Sequence, residues 1–236
     1  MMATFVLVHG AFHGGWCYSR VSERLIAFGH TVYAPTLTGL AERAHLATPM
    51  VNLSTHIDDV VDVITGEDLN DVILCGHSYA GMVITGVADR IAERIKTLFY
   101  LDAAVPTDGK SLFELRGEQA TLAALAAAGE TGWLVPSLSA QAFGVNPDDA
   151  EWVDQNCTPH PIACFIERLR LSGREALVAH RTYVRAERYA SPAVGETYDR
   201  IKQDPQWRVV ALDCGHDVMI DAPEELANLL LQEVER

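Results

Sequence analysis

The sequence predicts an α/β fold with a mostly parallel sheet flanked by helices. Apolar, β-rich runs alternate with amphipathic helical patterns along much of the chain. The runs are mostly apolar rather than alternating, which is typical of parallel strands that helices cover on both faces. With 236 residues, 49% hydrophobic and 21% charged, the composition is that of an ordinary globular protein. A single domain with a large buried core is therefore expected.

Six segments carry the strand pattern. They are Thr4–His9, Thr31–Ala34, Asp71–Cys75, Thr97–Leu101, Arg181–Ala186 and Trp207–Leu212. Helices are predicted between them. In the segment Thr55–Ile64 the apolar residues recur at helical spacing, and near the carboxyl terminus Pro223 stands where a helix begins. The alanine-rich patch Ala120–Ala128 is also predicted to be helical, because alanine is the strongest helix former.

The alternation stops between Leu101 and Arg181, where only helical patterns and turns occur. A structureless loop of that length is implausible within a compact domain. We therefore predict a core of residues 1–102 and 181–236, with residues 103–180 inserted as a helical cap. The aromatic residues Phe12, Trp133 and Phe143 are candidates for the lining of a substrate pocket under this cap.

Charge and cysteine content narrow the partners and the compartment. The net charge of −14 argues against nucleic acid or an anionic membrane as a partner. Five scattered cysteines, without paired short spacings, indicate free thiols and hence a cytoplasmic location. The apolar run at the amino terminus is too short for a signal peptide or a membrane span. A homodimer is possible, and no metal or cofactor is expected.

The most informative motif is Gly76-His-Ser78-Tyr-Ala80-Gly81. It follows an apolar strand and opens a helical pattern, which is the setting of a nucleophile elbow. The usual motif is Gly-x-Ser-x-Gly, and here Ala80 stands at the fifth position with Gly81 one step later. A serine on so tight a turn presents its Oγ at the carboxyl edge of the sheet. Ser78 is therefore the candidate nucleophile.

A serine nucleophile needs a general base within hydrogen-bonding distance. His216 follows the last predicted strand and Gly215, and it precedes the final helix. Loops after parallel strands meet at the carboxyl edge of the sheet, which is where Ser78 is expected. Of the nine histidines, His216 is therefore the candidate base.

A tetrahedral intermediate also requires donors for its oxyanion. The backbone N–H of Tyr79, directly after Ser78, is one natural donor. The glycine-rich turn after the first strand offers a second, the N–H of Ala11, because Gly10 permits close backbone approach. His9 and His13 lie in the same turn, but no carboxylate or cysteine joins them there, so they do not form a metal motif.

Three motifs together resemble the α/β-hydrolase superfamily. They are His9-Gly-Ala-Phe-His-Gly-Gly-Trp16, Gly76-His-Ser-Tyr-Ala-Gly81 and Gly215-His-Asp-Val-Met219. The chain is most similar to the branch of small plant methylesterases and hydroxynitrile lyases, with its bacterial esterase relatives. The resemblance implies Ser78 as nucleophile, His216 as base, and the N–H groups of Ala11 and Tyr79 as the oxyanion hole.

The triad acid is where the chain departs from the plant pattern. The plant enzymes carry an Asp after the penultimate strand, and Tyr189 stands at that position here. Asp102, at the end of the preceding strand, and Glu187 are the substitutes. An acid ending so apolar a strand is costly to bury unless it is paired, for example with His216. This favours Asp102, with Glu187 as the alternative; Asp217 is too near His216 in sequence to fold back on it.

The expected function is serine-dependent hydrolysis of a small carboxylic ester, aromatic or alicyclic, through an acyl-enzyme. Hydroxynitrile lyase activity is less favoured, because Ala11 replaces the threonine of the rubber-tree type and no lysine lies near Tyr189. A carboxylate nucleophile, as in dehalogenases, is excluded by Ser78. The other alternative is a non-catalytic hydrolase-fold protein that binds a small ligand or assists a pathway.

Overall fold

Six parallel strands form the central sheet of the computed structural model, which describes residues 2–189 and 192–236. They are β1 (Thr4–Val8), β2 (Thr31–Tyr33), β3 (Val72–His77), β4 (Ile95–Leu101), β7 (His180–Ala186) and β8 (Trp207–Leu212). The numbers β5 and β6 belong to two short strands outside this sheet, which are described below. The order across the sheet is β2-β1-β3-β4-β7-β8. The predicted fold class is confirmed, and each strand lies within two residues of its predicted bounds.

The described residues outside this sheet include the following α-helices. They are α1 (Ser19–Ala27), α2 (Leu53–Gly66), α3 (Ala80–Ile91), α4 (Leu112–Arg116), α5 (Glu118–Ala128), α6 (Ala140–Phe143), α7 (Pro147–Asn156), α8 (Ala163–Ile166), α9 (Pro192–Ile201), α10 (Val218–Asp221) and α11 (Pro223–Gln232). Helix α1 packs with α11, and α2 packs with α3. The predicted helix 55–64 lies within α2, and α11 begins at Pro223.

The centre of the sheet is its most deeply buried part. Every residue of β3 is buried, and β3 pairs with β1 on one side and β4 on the other. Gly76 is level with Val8 of β1 and with Tyr100 of β4. The loops after β1, β3 and β4 therefore leave the sheet side by side at its carboxyl edge.

Between β4 and β7 the described chain adds no strand to the central sheet. The segment between these strands, which the sequence predicts to be a cap and which is called the cap segment below, holds α4 to α8 and a two-stranded antiparallel ribbon, β5 (Leu134–Val135) with β6 (His160–Pro161). The sequence predicted helices and turns only, so the ribbon was missed. Strands of two residues are too short to show a period, and Pro161 disguises the second one.

Over the part of the chain that the structure describes, no helix has the length and apolar character needed to cross a bilayer.

Candidate active site

Ser78 lies in the sharp turn between β3 and α3. Its φ of +54° is in the left-handed region, which a non-glycine residue enters only at a cost of about 1–2 kcal/mol. The turn is held by its neighbours: Ser78 N–H donates to the Leu101 carbonyl at 3.1 Å, and the Ser78 carbonyl accepts from Ala104 N–H at 3.0 Å. A Cβ at Gly76 would lie 2.7 Å from the Ala80 carbonyl oxygen. Glycine is therefore required at the start of the motif.

His216 lies against this serine. Its Nε2 is 2.8 Å from Ser78 Oγ, and its Nδ1 is 2.7 Å from Asp102 Oδ2. A carboxylate only accepts hydrogen bonds, so Nδ1 carries the proton and Nε2 is free to accept from the serine hydroxyl. The His216 backbone is held as well, by the Phe143 carbonyl at 2.8 Å and by His77 Nε2 at 2.9 Å. The arrangement can pass a proton from Ser78 to His216.

Asp102, rather than Glu187, is the acid beside His216. Asp102 directly follows β4, with a φ of +43° and a relative exposure of 0%. Its second oxygen, Oδ1, accepts from Arg185 at 2.7 Å and from the Ala186 N–H at 3.1 Å. Glu187 is exposed, and its N–H donates to the Leu212 carbonyl in the extension of the sheet. Both oxygens of the buried Asp102 carboxylate are therefore satisfied.

Arg185 and Tyr189 belong to the site, and sequence reasoning missed both roles. Arg185 pairs with Asp102 and donates a second hydrogen bond, 2.6 Å long, to the Tyr189 carbonyl. The Tyr189 ring stacks on the His216 imidazole, with centroids 4.1 Å apart and planes at 24°. Tyr189, which the sequence resemblance sets at the position of the plant acid, thus covers the imidazole. The signal in the sequence was Arg185 itself, a charged residue near the end of a predicted strand.

The two residues whose backbone N–H groups are the candidate oxyanion donors border one cavity. Ala11 and Tyr79 line the cavity beside Ser78. Among the described residues, neither backbone N–H donates a hydrogen bond. A Cβ on Gly10 would lie 2.7 Å from His77 Nδ1 and 3.0 Å from Ser78 Cβ. Glycine at this position lets the loop after β1 approach the nucleophile turn.

A second histidine–aspartate pair lies beside the first. His13 Nε2 is 3.1 Å from Asp217 Oδ2, and both side chains are buried. Burial lowers the pKa of His13, but the adjacent Asp217 carboxylate outweighs it and holds that pKa well above its ordinary value. Burial raises the pKa of Asp217, and the histidine charge reverses this and lowers it to about 2. Asp217 therefore ties the His216 loop to the loop after β1.

A cavity of about 720 Å³, a volume that includes its open mouth, lies above these groups. Its wall consists of Ala11, Phe12, His13, His77, Ser78, Tyr79, Asp102, Ala104, Leu112, Leu115, Arg116, Leu138, Phe143, Tyr189, Val194, Thr197 and His216. Phe12 and Phe143 line it, but Trp133 does not. The backbone of Trp133 leads into the cap ribbon, where its carbonyl accepts from Ile162 N–H at 2.8 Å. Sequence spacing could not reveal which face of the cap turns inward.

One buried cluster has the residue types of a metal site: His56, His160 and Cys164, whose ligand atoms lie within 4.8 Å of one another. His56 Nε2 faces the Thr38 carbonyl and therefore carries a proton, while Nδ1 accepts from the Tyr79 hydroxyl. His160 Nδ1 accepts from Phe12 N–H, which leaves its proton on Nε2. Both imidazole lone pairs are already used, so neither histidine offers a free ligand atom to a metal ion.

The geometry and the fold agree with the comparisons. Residues 5–229 match the Alpha/beta hydrolase family, and the chain belongs to this family. Among the relatives is a carbendazim hydrolyzing esterase from Nocardioides sp. (strain SG-4G), 44% identical over 97% of this chain and 98% of that protein. Methylesterase 4 of Arabidopsis thaliana is 32% identical over a shorter match, 43% of this chain and 40% of that enzyme. The resemblance to the methylesterase branch is thereby confirmed.

Solved structures share the fold. One is an extracellular alpha/beta-hydrolase from a Paenibacillus species, described as homologous in structure and function to tobacco salicylic acid binding protein 2. It superposes with a TM-score of 0.86 at 24% identity, over 98% of both chains. A pyrethroid hydrolase from Sphingobium faniae JZ-2 superposes with a TM-score of 0.80, also at 24% identity, covering 100% of this chain and 98% of that one.

Proposed function

We propose that this chain is a serine esterase in which Ser78 is the nucleophile, His216 the base and Asp102 the acid. The observation that carries the proposal is the hydrogen-bonded line from Ser78 Oγ through His216 to Asp102, with distances of 2.8 and 2.7 Å, at the floor of an open cavity. The near-full-length match to a carbendazim hydrolyzing esterase supports the same activity. The chain is a carboxylic-ester hydrolase.

The reaction follows from the direction of these hydrogen bonds. Ser78 Oγ attacks the ester carbonyl carbon while His216 Nε2 takes its proton, and the carbonyl oxygen becomes an oxyanion facing the N–H groups of Ala11 and Tyr79. Collapse of this intermediate breaks the bond to the alcohol, which leaves with the proton from His216. Water then attacks the acyl-enzyme by the same route, and the acid is released. Asp102 holds the imidazole tautomer and stabilises the imidazolium.

The cavity indicates the class of ester. Aromatic and aliphatic side chains, among them Phe12, Leu112 and Phe143, supply much of the wall. Such a wall favours a small aromatic or alicyclic group, which gains burial without needing an ion pair. The substrate proposed is therefore a small ester of that kind, with methyl esters first among them.

The test has two parts. Stoichiometric labelling by a serine-directed organophosphonate, mapped to Ser78 by mass spectrometry, is expected for the wild type and not for Ser78→Ala. Turnover is then measured on methyl, aryl and longer alkyl esters of benzoic and cyclohexanecarboxylic acids. Carbendazim is included because one relative is a carbendazim hydrolyzing esterase. Absence of both labelling and hydrolysis would leave a ligand-binding protein as the better description.

The remaining proposals concern context. Residues 103–180 act as a cap on a core formed by 1–102 and 181–236, a division supported by the absence of central-sheet strands from the described part of the insertion. A cytoplasmic location is supported by five cysteines that are all free thiols, and cell fractionation tests it. A homodimer is supported only by exposed apolar residues such as Leu122 and Leu125 on α5, and sedimentation tests it.

A further inference from the structure

The loop after β1 carries one proposed oxyanion donor, yet it lies outside any helix or strand. Residues 9–14 have no ladder or helical turn to hold their peptide groups. Phe12 has a φ of +72°, a conformation that costs a non-glycine residue about 1–2 kcal/mol. A segment of this kind keeps one geometry only if other groups hold it. Three buried histidines do so.

His9 holds the peptide group that contains the donor. Its Nε2 accepts the Leu37 N–H at 3.0 Å, so the ring proton is on Nδ1, which donates to the Gly10 carbonyl at 2.8 Å. That carbonyl and the Ala11 N–H belong to one planar peptide group and point in opposite directions. The hydrogen bond from His9 therefore sets the direction of the Ala11 N–H. It also polarises that peptide, which strengthens the N–H as a donor.

The next peptide group is held from both sides. The Ala11 carbonyl accepts from His13 Nδ1 at 2.8 Å, and the Phe12 N–H donates to His160 Nδ1 at 3.2 Å. The Phe12 carbonyl in turn accepts from the Thr158 N–H at 2.9 Å. Thr158 and His160 both belong to the cap segment. The loop is thus attached to the cap as well as to the core.

His13 holds its position as a cation. One ring nitrogen faces a carbonyl oxygen and the other faces the Asp217 carboxylate. Neither oxygen can donate a hydrogen bond, so both ring nitrogens must carry protons. Burial by itself lowers the pKa of His13, but the buried Asp217 carboxylate outweighs burial and holds that pKa well above its ordinary value. The pair connects the Ala11 carbonyl to the residue next to His216.

We propose that His9, His13 and His160 are positioning residues for the oxyanion hole, which they serve by fixing the two successive peptide groups from Gly10 to Phe12. The inference rests on the proposed function. None of the three is hydrogen-bonded to Ser78 or His216, so they act through the loop. Their effect falls on the tetrahedral intermediate, where the Ala11 N–H meets negative charge, and much less on the neutral bound ester.

The contrasting possibility is that these are ordinary core histidines, whose loss changes stability alone. The experiment separates these two possibilities with two compounds. One is a methyl ester substrate, and the other is a trifluoromethyl ketone inhibitor, to whose carbonyl the serine adds to give a tetrahedral oxyanion. His9→Phe and His160→Leu are compared with the wild type. His9→Asn is the conservative variant, because its amide N–H can still reach the Gly10 carbonyl. His30→Asn is the matched control: this histidine accepts the Ala3 N–H at 3.2 Å, at the amino edge of the sheet.

In His9→Phe and His160→Leu we expect kcat to fall about 10- to 100-fold, with KM within about threefold, because loss of a whole oxyanion donor costs about 10²- to 10³-fold. The inhibition constant of the ketone should rise by the same factor as kcat falls. In His9→Asn, kcat and the inhibition constant of the ketone should stay close to the wild-type values, and His30→Asn should change neither quantity. Thermal unfolding shows which variants are folded.

Unchanged kcat and ketone affinity in folded variants would overturn the proposal. A ¹⁵N NMR spectrum of the wild type provides a test that needs no variant. An unprotonated ring nitrogen on His13 at neutral pH would also overturn the proposal. Failure of the proposed function looks different: the wild type itself would show no organophosphonate labelling and no turnover. In that case there is no oxyanion for the histidines to serve, and the positioning role is rejected with it.

Discussion

At the scale of single residues, the site depends on how charge is balanced beside His216. Asp102 is fully buried, and its two oxygens are shared between the imidazole and Arg185. A buried carboxylate with one partner removed is costly, because its charge remains without compensation. The Tyr189 ring stacks on the same imidazole. The proposed acid thus follows β4, and the loop after β7 places the Tyr189 ring over the imidazole.

The choice of acid is tested by Asp102→Asn and Glu187→Gln. In the first variant kcat is expected to fall about 10³- to 10⁴-fold, because the amide favours the wrong tautomer of His216. The second variant should keep kcat within about twofold, since Glu187 is exposed. Steady-state kinetics on a methyl ester measures both. A large loss confined to the glutamate variant would reverse the assignment.

Arg185→Met removes the second partner of Asp102. The buried carboxylate then keeps only the Ala186 N–H on Oδ1, and the Tyr189 carbonyl loses its donor. We expect the free energy of unfolding to drop by about 3 kcal/mol, as for other broken buried ion pairs, and kcat to drop with it. Arg188→Met is the matched control, because its pair with Asp213 is exposed and contributes under about 1 kcal/mol. Equal stability of the two variants in urea would contradict the role given to Arg185.

At the scale of elements, the site is a meeting of loops at one edge of the sheet. The turn from β3 to α3 lies against the residues that follow β4. A Cβ on Gly81 would come within 1.9 Å of the Ala104 carbonyl oxygen. The glycine one step after the usual motif position therefore permits the close approach that brings Asp102 beside the Ser78 turn. The motif departs from the common spacing for a packing reason.

Gly81→Ala should push α3 away from this loop. Overpacking of this kind costs about 3 kcal/mol, and the shift of Asp102 should lower kcat more than it raises KM. Gly66→Ala provides the control, since nothing lies within 4 Å of its added Cβ, and alanine there is expected to stabilise α2 slightly. Denaturant unfolding and ester kinetics are measured on both. Wild-type kinetics in a stable Gly81→Ala variant would show that the loop adapts.

The fold was readable from the sequence because its signals are local. The continuous apolar run of β3 and the turn at Ser78 lie within a few residues of each other, and periodicity determines both. The partners of Asp102 and of His13 could not be found in the same way. Arg185 and Asp217 are far from them in the chain, and only the packing of separate strands and loops brings them together. The catalytic roles themselves remain predictions that the variants above test.

At the scale of the whole molecule, buried histidines link stability to pH. Burial lowers the pKa of His9 to about 3 and that of His56 to about 4. Burial also holds the pKa values of His77 and His160 well below the ordinary 6.5. These four stay neutral in the folded protein while the unfolded chain protonates them below pH 6.5. The unfolded state then binds more protons, so acid destabilises the fold.

The expected result is a steep loss of stability below about pH 6, with an uptake of about four protons on unfolding near pH 5.5. The free energy of unfolding is measured in urea at intervals from pH 7 to 5. His160→Leu should reduce the uptake by about one proton. His13 acts in the opposite sense: its raised pKa adds stability that is present below pH 6.5 and lost as pH rises through the folded value. A curve that is flat between pH 6.5 and 5 would contradict this account.

The sequence by itself determined the parallel α/β fold, the hydrolase family and the candidate pair of Ser78 and His216. Strand patterns and the elbow motif involve residues that are neighbours in the chain, so they can be recognised without knowing how the chain packs. The sequence favoured Asp102 over Glu187, but the tertiary structure was needed to show that Asp102 meets His216, that Tyr189 covers the imidazole, and that Trp133 does not line the cavity. The physical reason is that each of these depends on where separate loops converge. Burial and charge, which no local pattern encodes, select the partner there.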